Sequence, residues 1–324
     1  MRNWSRRLHQ IFGFLLILAT TGTVVAGDPP CCDLPVCSTC SKPTWSLTAD
    51  SLFLARGEPT SRVLAFNTVD PAQNVNADGF DFNLKSGFDL TLTRSLGANH
   101  AIQLRYFGVD GLNSTQTVLT TDNDLLSFNA SPPVFANAGN SIQSQLSSEL
   151  HNAELSLTKA LDDCFTLSAG FRYAELDERI QMTLSNSAIP FTYRARTQNR
   201  LYGGQLGLDA LLWETERFSL DVLTKAGIFG NSGSQEGLTT TGLAGLTAAG
   251  SDDDVSFIGE LGLTSTTQLR ECLSMRVGYR LLWFDGVADA TRQLAATNFN
   301  TGTGFHGSGD VFFHGVFVGL QLVR

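Results

Sequence analysis

The stretch FDFNLKSGFDLTL, residues 80–92, alternates with period two. Phe80, Phe82, Leu84, Phe88, Leu90 and Leu92 hold the even positions, with Ser86 interrupting, and Asp81, Asn83, Lys85, Gly87, Asp89 and Thr91 hold the odd ones. On a β-strand this gives one apolar and one polar, charged face. A soluble sandwich would pack the apolar face on a second sheet. A transmembrane barrel would turn it to lipid and let the polar face line the lumen, over about 9–11 tilted residues per span. The run is long for a sandwich strand, where about 5–6 residues is usual. The barrel further requires the pattern to recur around a closed ring.

The chain meets that requirement. Ten alternating segments follow one another at about 45–55, 80–94, 101–109, 147–160, 164–177, 199–213, 217–229, 254–267, 272–284 and 311–323. Short turns (95–99, 161–163, 213–216, 268–271) alternate with long polar loops (56–79, 110–146, 178–198, 230–253, 285–310). Short turns at one end and long loops at the other, with an even strand number, is the plan of outer-membrane barrels. The expected fold is therefore all-β, an antiparallel up-and-down barrel of about ten strands over residues 45–324. Eight or twelve strands stay open, because Arg179–Arg196 has the makings of an extra hairpin. All nine prolines fall outside the ten segments, as ladder pairing demands. The expected lipid faces, such as Phe165, Leu167, Ala169, Phe171 and Tyr173, carry almost no charge. Two aromatic girdles are expected, Trp45, Phe165, Trp213 and Phe218 at the turn end and Tyr106, Tyr173, Tyr202, Trp283 and Phe284 at the loop end.

Two further patterns shape the expectation. Residues 161–172 (LDDCFTLSAGFR) match 269–280 (LRECLSMRVGYR) in outline, with Glu216–Val222 midway, so the repeated unit is a full hairpin and a closed meander assembles it most simply. In the fourth segment Leu146 and Leu150 share one parity while Ala153, Leu155 and Leu157 share the other, which predicts a β-bulge between Leu150 and Ala153.

Residues 1–26 read as a cleaved secretory signal peptide. Arg2, Arg6 and Arg7 open it, 11–25 is mostly apolar, and Val24-Val25-Ala26 supplies the small-residue end. Its removal moves the formal charge from −9 to −12, which argues against nucleic acid as a partner. Residues 27–44 form a distinct Cys/Pro-rich arm, expected in the periplasm, with Cys31, Cys32, Cys37 and Cys40. Cys37-x-x-Cys40 is half of a zinc motif, yet no histidine accompanies it, and disulfides are the better reading in an exported chain. Cys164 and Cys272 both open strands at the turn end. Four strands apart in a ring about 20 Å across, they are too distant to pair with each other but each within reach of the arm. The arm is thus expected to be stapled to one of them, or to crosslink to a periplasmic partner or a second copy.

Residues 148–178 (SELHNAELSLTKALDDCFTLSAGFRYAELDE), with 199–212 and 217–231, resemble the outer-membrane β-barrel porin family of Gram-negative-type bacteria. The resemblance spans about 45–324 and implies a pore-forming barrel in the cell outer membrane, in contact with the lipid bilayer and inserted by the outer-membrane assembly machinery. It supplies no catalytic or binding residues. The final strand ends in Arg324 rather than an aromatic residue, a departure that bears on recognition by that machinery.

Inward parity collects Asp81, Lys85, Asp89, Arg105, Glu154, Arg172, Asp209, Asp221, Lys225, Glu260, Arg276 and Arg280 as candidate pore-lining residues. Both charge signs are present, so the set reads either as a selective lining or as pairs that fill the lumen. Barrels of about 8 strands are filled by side chains and aqueous channels open at about 16–18, so ten strands lie near the filled end. Two functions follow: a porin-like passive channel for small hydrophilic solutes, or a non-conducting barrel whose loops bind outside partners. Catalysis is not expected. His151 and Glu154 have opposite parities, and His306-Gly-Ser308 lies in a Gly-rich loop without rigid support. No cofactor or metal is expected.

Overall fold

A computed structural model describes residues 44–97, 99–121, 124–127, 134–185, 191–241 and 244–324. The leader and the arm with its four cysteines lie outside the described residues. The elements are β1 (Trp45–Arg56), β2 (Val63–Asn67), β3 (Val75–Asn76), β4 (Lys85–Ser95), β5 (His100–Leu119), β6 (Asp124–Ser127), β7 (Val134–Ala136), β8 (Ser141–Ala160), β9 (Phe165–Ser185), β10 (Phe191–Glu214), β11 (Phe218–Thr241), β12 (Ala244–Arg270), β13 (Leu273–Val287), helix α1 (Ala290–Ala296) and β14 (Gly309–Val323). Ten of the strands close a barrel in the order β1-β14-β13-β12-β11-β10-β9-β8-β5-β4, and β3-β2-β6-β7 form a separate small sheet. The ring closes where β1 pairs antiparallel with β14, from Ser46↔Val323 to Arg56↔Phe313. At the rim below, the Thr44 and Trp45 amides both donate to the Arg324 carbonyl.

The strands are unequal. β1 and β4 have 12 and 11 residues, enough for one span, whereas β10 and β11 have 24 each and β12 has 27. The excess forms a wall that continues β5 and β8–β12 beyond the membrane on the loop side. Consequently much of 110–146, 178–198 and 230–253, expected as loop, is strand. The sequence Arg179–Arg196 is no additional hairpin in the ring; it extends β9 and β10, which pair from Phe191↔Leu184 to Ala210↔Phe165 without a break.

Along these strands the apolar parity inverts partway up. On β9, Phe165, Leu167 and Phe171 face outward and are exposed, while above Tyr173 the buried apolar set is Ala174, Leu176, Ile180, Met182 and Leu184, all of the inward parity. On β8, Leu155 and Leu157 point out, but Leu150, Leu146 and Ile142 point in. The physical reason is a change of solvent. Inside the span the outer face meets lipid and the lumen is polar; above it the outer face meets water and the interior is packed protein. The inversion falls at the upper girdle, where Tyr106, Ala153, Tyr173 and Tyr202 lie opposite one another across β5, β8, β9 and β10.

This inversion corrects three expectations. β8 carries no bulge between Leu150 and Ala153; its even positions face inward throughout, and the register shift is on β5, between Val109 and Leu112. The deciding stretch 80–92 is not all strand. β4 begins at Lys85, and Phe80 and Phe82 are buried in the interior after a short 3-10 turn at Ala77–Gly79, while Phe88, Leu90 and Leu92 do face outward. Phe284 leaves the girdle as well: it is buried inside, edge-on to Phe313, whereas neighbouring Trp283 meets Phe257.

The extracellular half is filled from within. Leu64, Val75, Phe80 and Phe82 from the β1–β4 connection, and Leu294 and Phe299 from the β13–β14 connection, share one core with wall residues such as Leu146, Met182 and Tyr193. The Asp289 carboxylate caps α1, accepting from the Thr291 amide at 2.8 Å. Glu178 on β9 accepts from the Ala290 amide at 3.1 Å and from Arg56 Nε at 2.6 Å, so one buried carboxylate ties α1, β9 and the end of β1 together. Burial holds Glu178 above the ordinary glutamate range, with Arg56 opposing that shift and Asp289 adding to it.

Candidate functional site

Period-two alternation places Asp89 (β4), Arg105 (β5), Glu154 (β8), Arg172 (β9), Lys225 (β11), Glu260 (β12) and Arg280 (β13) on the inner wall. The register brings them to one level, since Arg105 faces Glu154, Glu154 faces Arg172 and Lys225 faces Glu260. There they close on one another across the lumen. Arg105 bridges Asp89 at 2.8 Å, Glu154 at 3.1 Å and Glu260 at 2.9 Å. Arg172 reaches Glu260 at 3.1 Å, Lys225 reaches Glu154 at 2.7 Å, and Arg280 reaches Asp89 at 2.6 Å and Glu260 at 3.4 Å. No side chain in this belt is more than 7 % exposed. Four cations meet three carboxylates, and every carboxylate touches at least two cations. Such mutual satisfaction is the condition under which charges withdrawn from water do not drive the fold apart.

Neutral groups complete the layer. Gln205 donates to Glu154 at 2.7 Å, and Asn152 accepts from Arg172 at 3.1 Å. Phe107, fully buried, lies over the belt, its ring centre 4.6 Å from the Arg105 guanidinium carbon, 5.5 Å from that of Arg280 and 5.8 Å from that of Arg172. Above Phe107 the interior is the apolar core. The lumen is thus closed by an ionic layer and then by an apolar one.

Below the belt a polar cavity of about 430 Å³ is lined by all ten barrel strands toward the turn end. It holds Asp209, Asp221 and Arg276, and also Asp50, whose carboxylate pairs with Arg276 at 3.2 Å. Asp221 accepts from the Ser219 hydroxyl at 3.0 Å.

Of the twelve charged residues singled out from parity, seven meet in the belt and three line the cavity. Lys85, the first residue of β4, is half-buried, and Asp81 is exposed ahead of the strand because the chain there is not yet extended. Asp50 was missed although the alternation of residues 45–55 points it inward with Ser46 and Thr48. Asn152, Gln205 and Phe107 were missed because a search for charges passes over neutral partners.

The histidines are dispersed. His151 bonds the Tyr106 hydroxyl at 3.0 Å and Asp110 at 3.0 Å on the outer surface, while Glu154 faces the lumen. His314 bonds Tyr279 at 2.8 Å, and His306 lies 3.4 Å from Ser308. Cys164 directly precedes β9, and its amide donates to Asp162 at 2.9 Å; Cys272 directly precedes β13, is exposed, and accepts from the Val323 amide at 3.0 Å. Both stand at the turn-end rim.

Comparison with solved structures returns outer-membrane β-barrels. The outer membrane protease OmpT from Escherichia coli aligns over 89% of this chain and 99% of its own, at 11% identity and a TM-score of 0.48. The translocator domain of the autotransporter NalP from Neisseria meningitidis aligns over 86% and 88%, at 10% identity and TM-score 0.39. The toluene transporter TodX from P. putida aligns over 87% and 90%, at 8% identity and TM-score 0.37. These likenesses concern the fold alone. No curated protein matches the chain. A family described as "Putative beta barrel porin-7" matches residues 111–304, well over half of the sequence. The chain belongs to this beta barrel porin-7 family, and it is a ten-stranded outer-membrane β-barrel.

Proposed function

We propose that this protein is a non-conducting outer-membrane barrel, its lumen a folded core, whose extended extracellular wall and connections meet partners outside the cell. The observation that carries the reading is the seven-membered ionic belt roofed by Phe107. A hydrated solute passing this level would have to separate guanidinium–carboxylate pairs in a low-dielectric layer, and breaking one such pair costs about 3–5 kcal/mol. It would then meet an apolar core anchored by the Arg56–Glu178 pair. Porin-like passage would require both closures to yield together. The reading assigns no enzymatic activity to the barrel.

Single-channel recording on folded protein in planar bilayers, with and without reductant, tests the proposal. The expected result is silence in both conditions. Steady open steps from protein shown to be folded would refute it and restore the passive-channel reading.

A further inference from the structure

The polar cavity below the belt is unevenly charged. Apart from belt members, its lining holds three carboxylates, Asp50, Asp209 and Asp221, against the single guanidinium of Arg276. The belt cations at its roof, Arg105, Lys225 and Arg280, are already held by belt carboxylates. Arg276 is spent on Asp50, at 3.2 Å. Asp209 has no ion pair among the described residues, and Asp221 accepts only from the Ser219 hydroxyl, at 3.0 Å. These two carboxylates are diagonal neighbours on paired strands, because Asp209 faces Leu223 and Asp221 faces Leu211. Diagonal positions lie about 7–8 Å apart, so one cation between the two side chains meets both. The far wall supplies an independent observation. Asp50, on β1, stands five strands from β10 in the ring of ten, across the lumen. It is 5 % exposed and lines the same cavity, and its Oδ1 has no hydrogen-bond partner. The residue beside it on β14 is Gly319, where any side chain would strike Oδ1. A carboxylate withdrawn from water with one oxygen unpaired is costly until a donor or a cation reaches it.

We propose that this cavity binds a small aliphatic cation carrying primary ammonium groups, which enters from the turn end. The lining reaches Ser46, Thr93 and Gln321, each within two residues of the end of its strand. A cleft lined by one sign of charge concentrates counter-ions, and a cation seated between Asp209 and Asp221 also relieves their mutual repulsion. The rest of the lining selects the class. Ammonium groups only donate, and the wall offers acceptors, the carboxylates together with hydroxyls such as those of Thr91, Thr158 and Thr264. No aromatic ring lines the cavity among the described residues, so a quaternary ammonium finds no face to rest on. No three His, Cys, Asp or Glu side chains come together as metal ligands among the described residues, so a divalent metal ion finds no protein shell.

The test is calorimetric titration of the full-length chain, purified from membranes in nonionic detergent, with 1,4-diaminobutane as the probe. Heat-modifiability on gels establishes that each variant is folded. The wild type is expected to show one saturable site per chain, from which equal concentrations of magnesium or tetramethylammonium do not displace the diamine. D209N/D221N is expected to bind at least about tenfold more weakly, the worth of one hydrogen bond to a charged acceptor. D252N/D254N removes the same two charges from exposed positions on the extracellular wall and is expected to bind as the wild type does. Should the double cavity variant not fold, D209N and D221N singly carry the comparison, each with weaker binding than wild type. Folded wild type that takes up no diamine overturns the proposal. Equal weakening in D252N/D254N overturns it too, because uptake would then follow overall charge. So does displacement by magnesium or tetramethylammonium, which would make the cavity an unselective counter-ion trap. The titration reads binding alone, so a conducting barrel would refute the sealed-lumen reading and leave this one standing.

Discussion

Glu260 is the most instructive single perturbation. Its side chain is fully buried and its carboxylate serves three guanidinium groups at 2.9, 3.1 and 3.4 Å. Glu260→Gln keeps the shape and removes the charge, leaving four cations against two carboxylates in a layer closed to water. Loss of one member of a buried ionic network costs about 3–5 kcal/mol, because the partners stay buried without compensation. At about 2–4 °C per kcal/mol for a chain of this size class, the unfolding midpoint should fall by about 6–20 °C. The assay is the temperature at which the folded band on unheated gels converts to the unfolded one, with a urea midpoint as a second measure. Asp209→Asn is the matched control. It also neutralises an inward carboxylate, but one on the aqueous cavity beside Asp221 with no ion pair among the described residues, so it should leave the midpoint unchanged or raise it. An E260Q barrel indistinguishable from D209N would refute the view that the belt is a mutually dependent network.

Further outcomes follow from the same structure. Leu167→Arg, outward within the span, should cost about 2–4 kcal/mol, whereas Thr183→Arg, outward on the same strand above the girdle, should be tolerated within about 0.5 kcal/mol. Equal penalties would refute the placement of the membrane boundary at Tyr173. His306 is held below the ordinary histidine range by burial and by the Arg292 and Arg62 charges, with Asp289 opposing. Its folded form therefore binds a proton less readily than the unfolded chain, so the stability it confers is present above the ordinary value near 6.5 and is lost as pH falls through the window below it. Protection factors in 289–308, that is exchange rates divided into the intrinsic rate at each pH, should fall between pH 7.5 and 5.5 in wild type and not in His306→Asn. At the rim, Cys272 lies two strands from β1, about 10 Å away, and the four residue-to-residue steps from Cys40 to Thr44 span at most about 14 Å. Non-reducing peptide mapping of the native protein should therefore join Cys272 to the 31–40 cluster; quantitative alkylation of Cys272 without reduction would refute this.

The ring itself was legible because lipid imposes a simple rule. Each span needs an apolar outer face of fixed length, and Phe165 to Tyr173 or Phe88 to Leu92 announce it residue by residue. The charges of the belt were legible for the same reason, since alternation assigns Arg105, Glu154 and Glu260 to the lumen. Three things were not. The strands above the girdle were read as loops because their outward faces, such as Arg179, Gln181 and Thr183, are as polar as loop residues, and their apolar residues had changed parity. The supposed bulge at Leu150 was this same change seen along one strand. Phe80 and Phe82 looked like lipid-facing residues because periodicity carries no sign and cannot say whether an apolar side chain meets lipid or protein.

What the sequence determined by itself was the class of fold, a ring of about ten spans and the inward face of the belt charges, all consequences of a period of two and of membrane thickness. Which of those charges meet one another was decided only by the tertiary structure. That answer depends on the height at which residues far apart in the chain meet across the barrel. Arg105 and Glu260, 155 positions apart, come within 2.9 Å only because the register of every intervening strand places them at one level. Register is a property of the closed ring, and no single strand contains it.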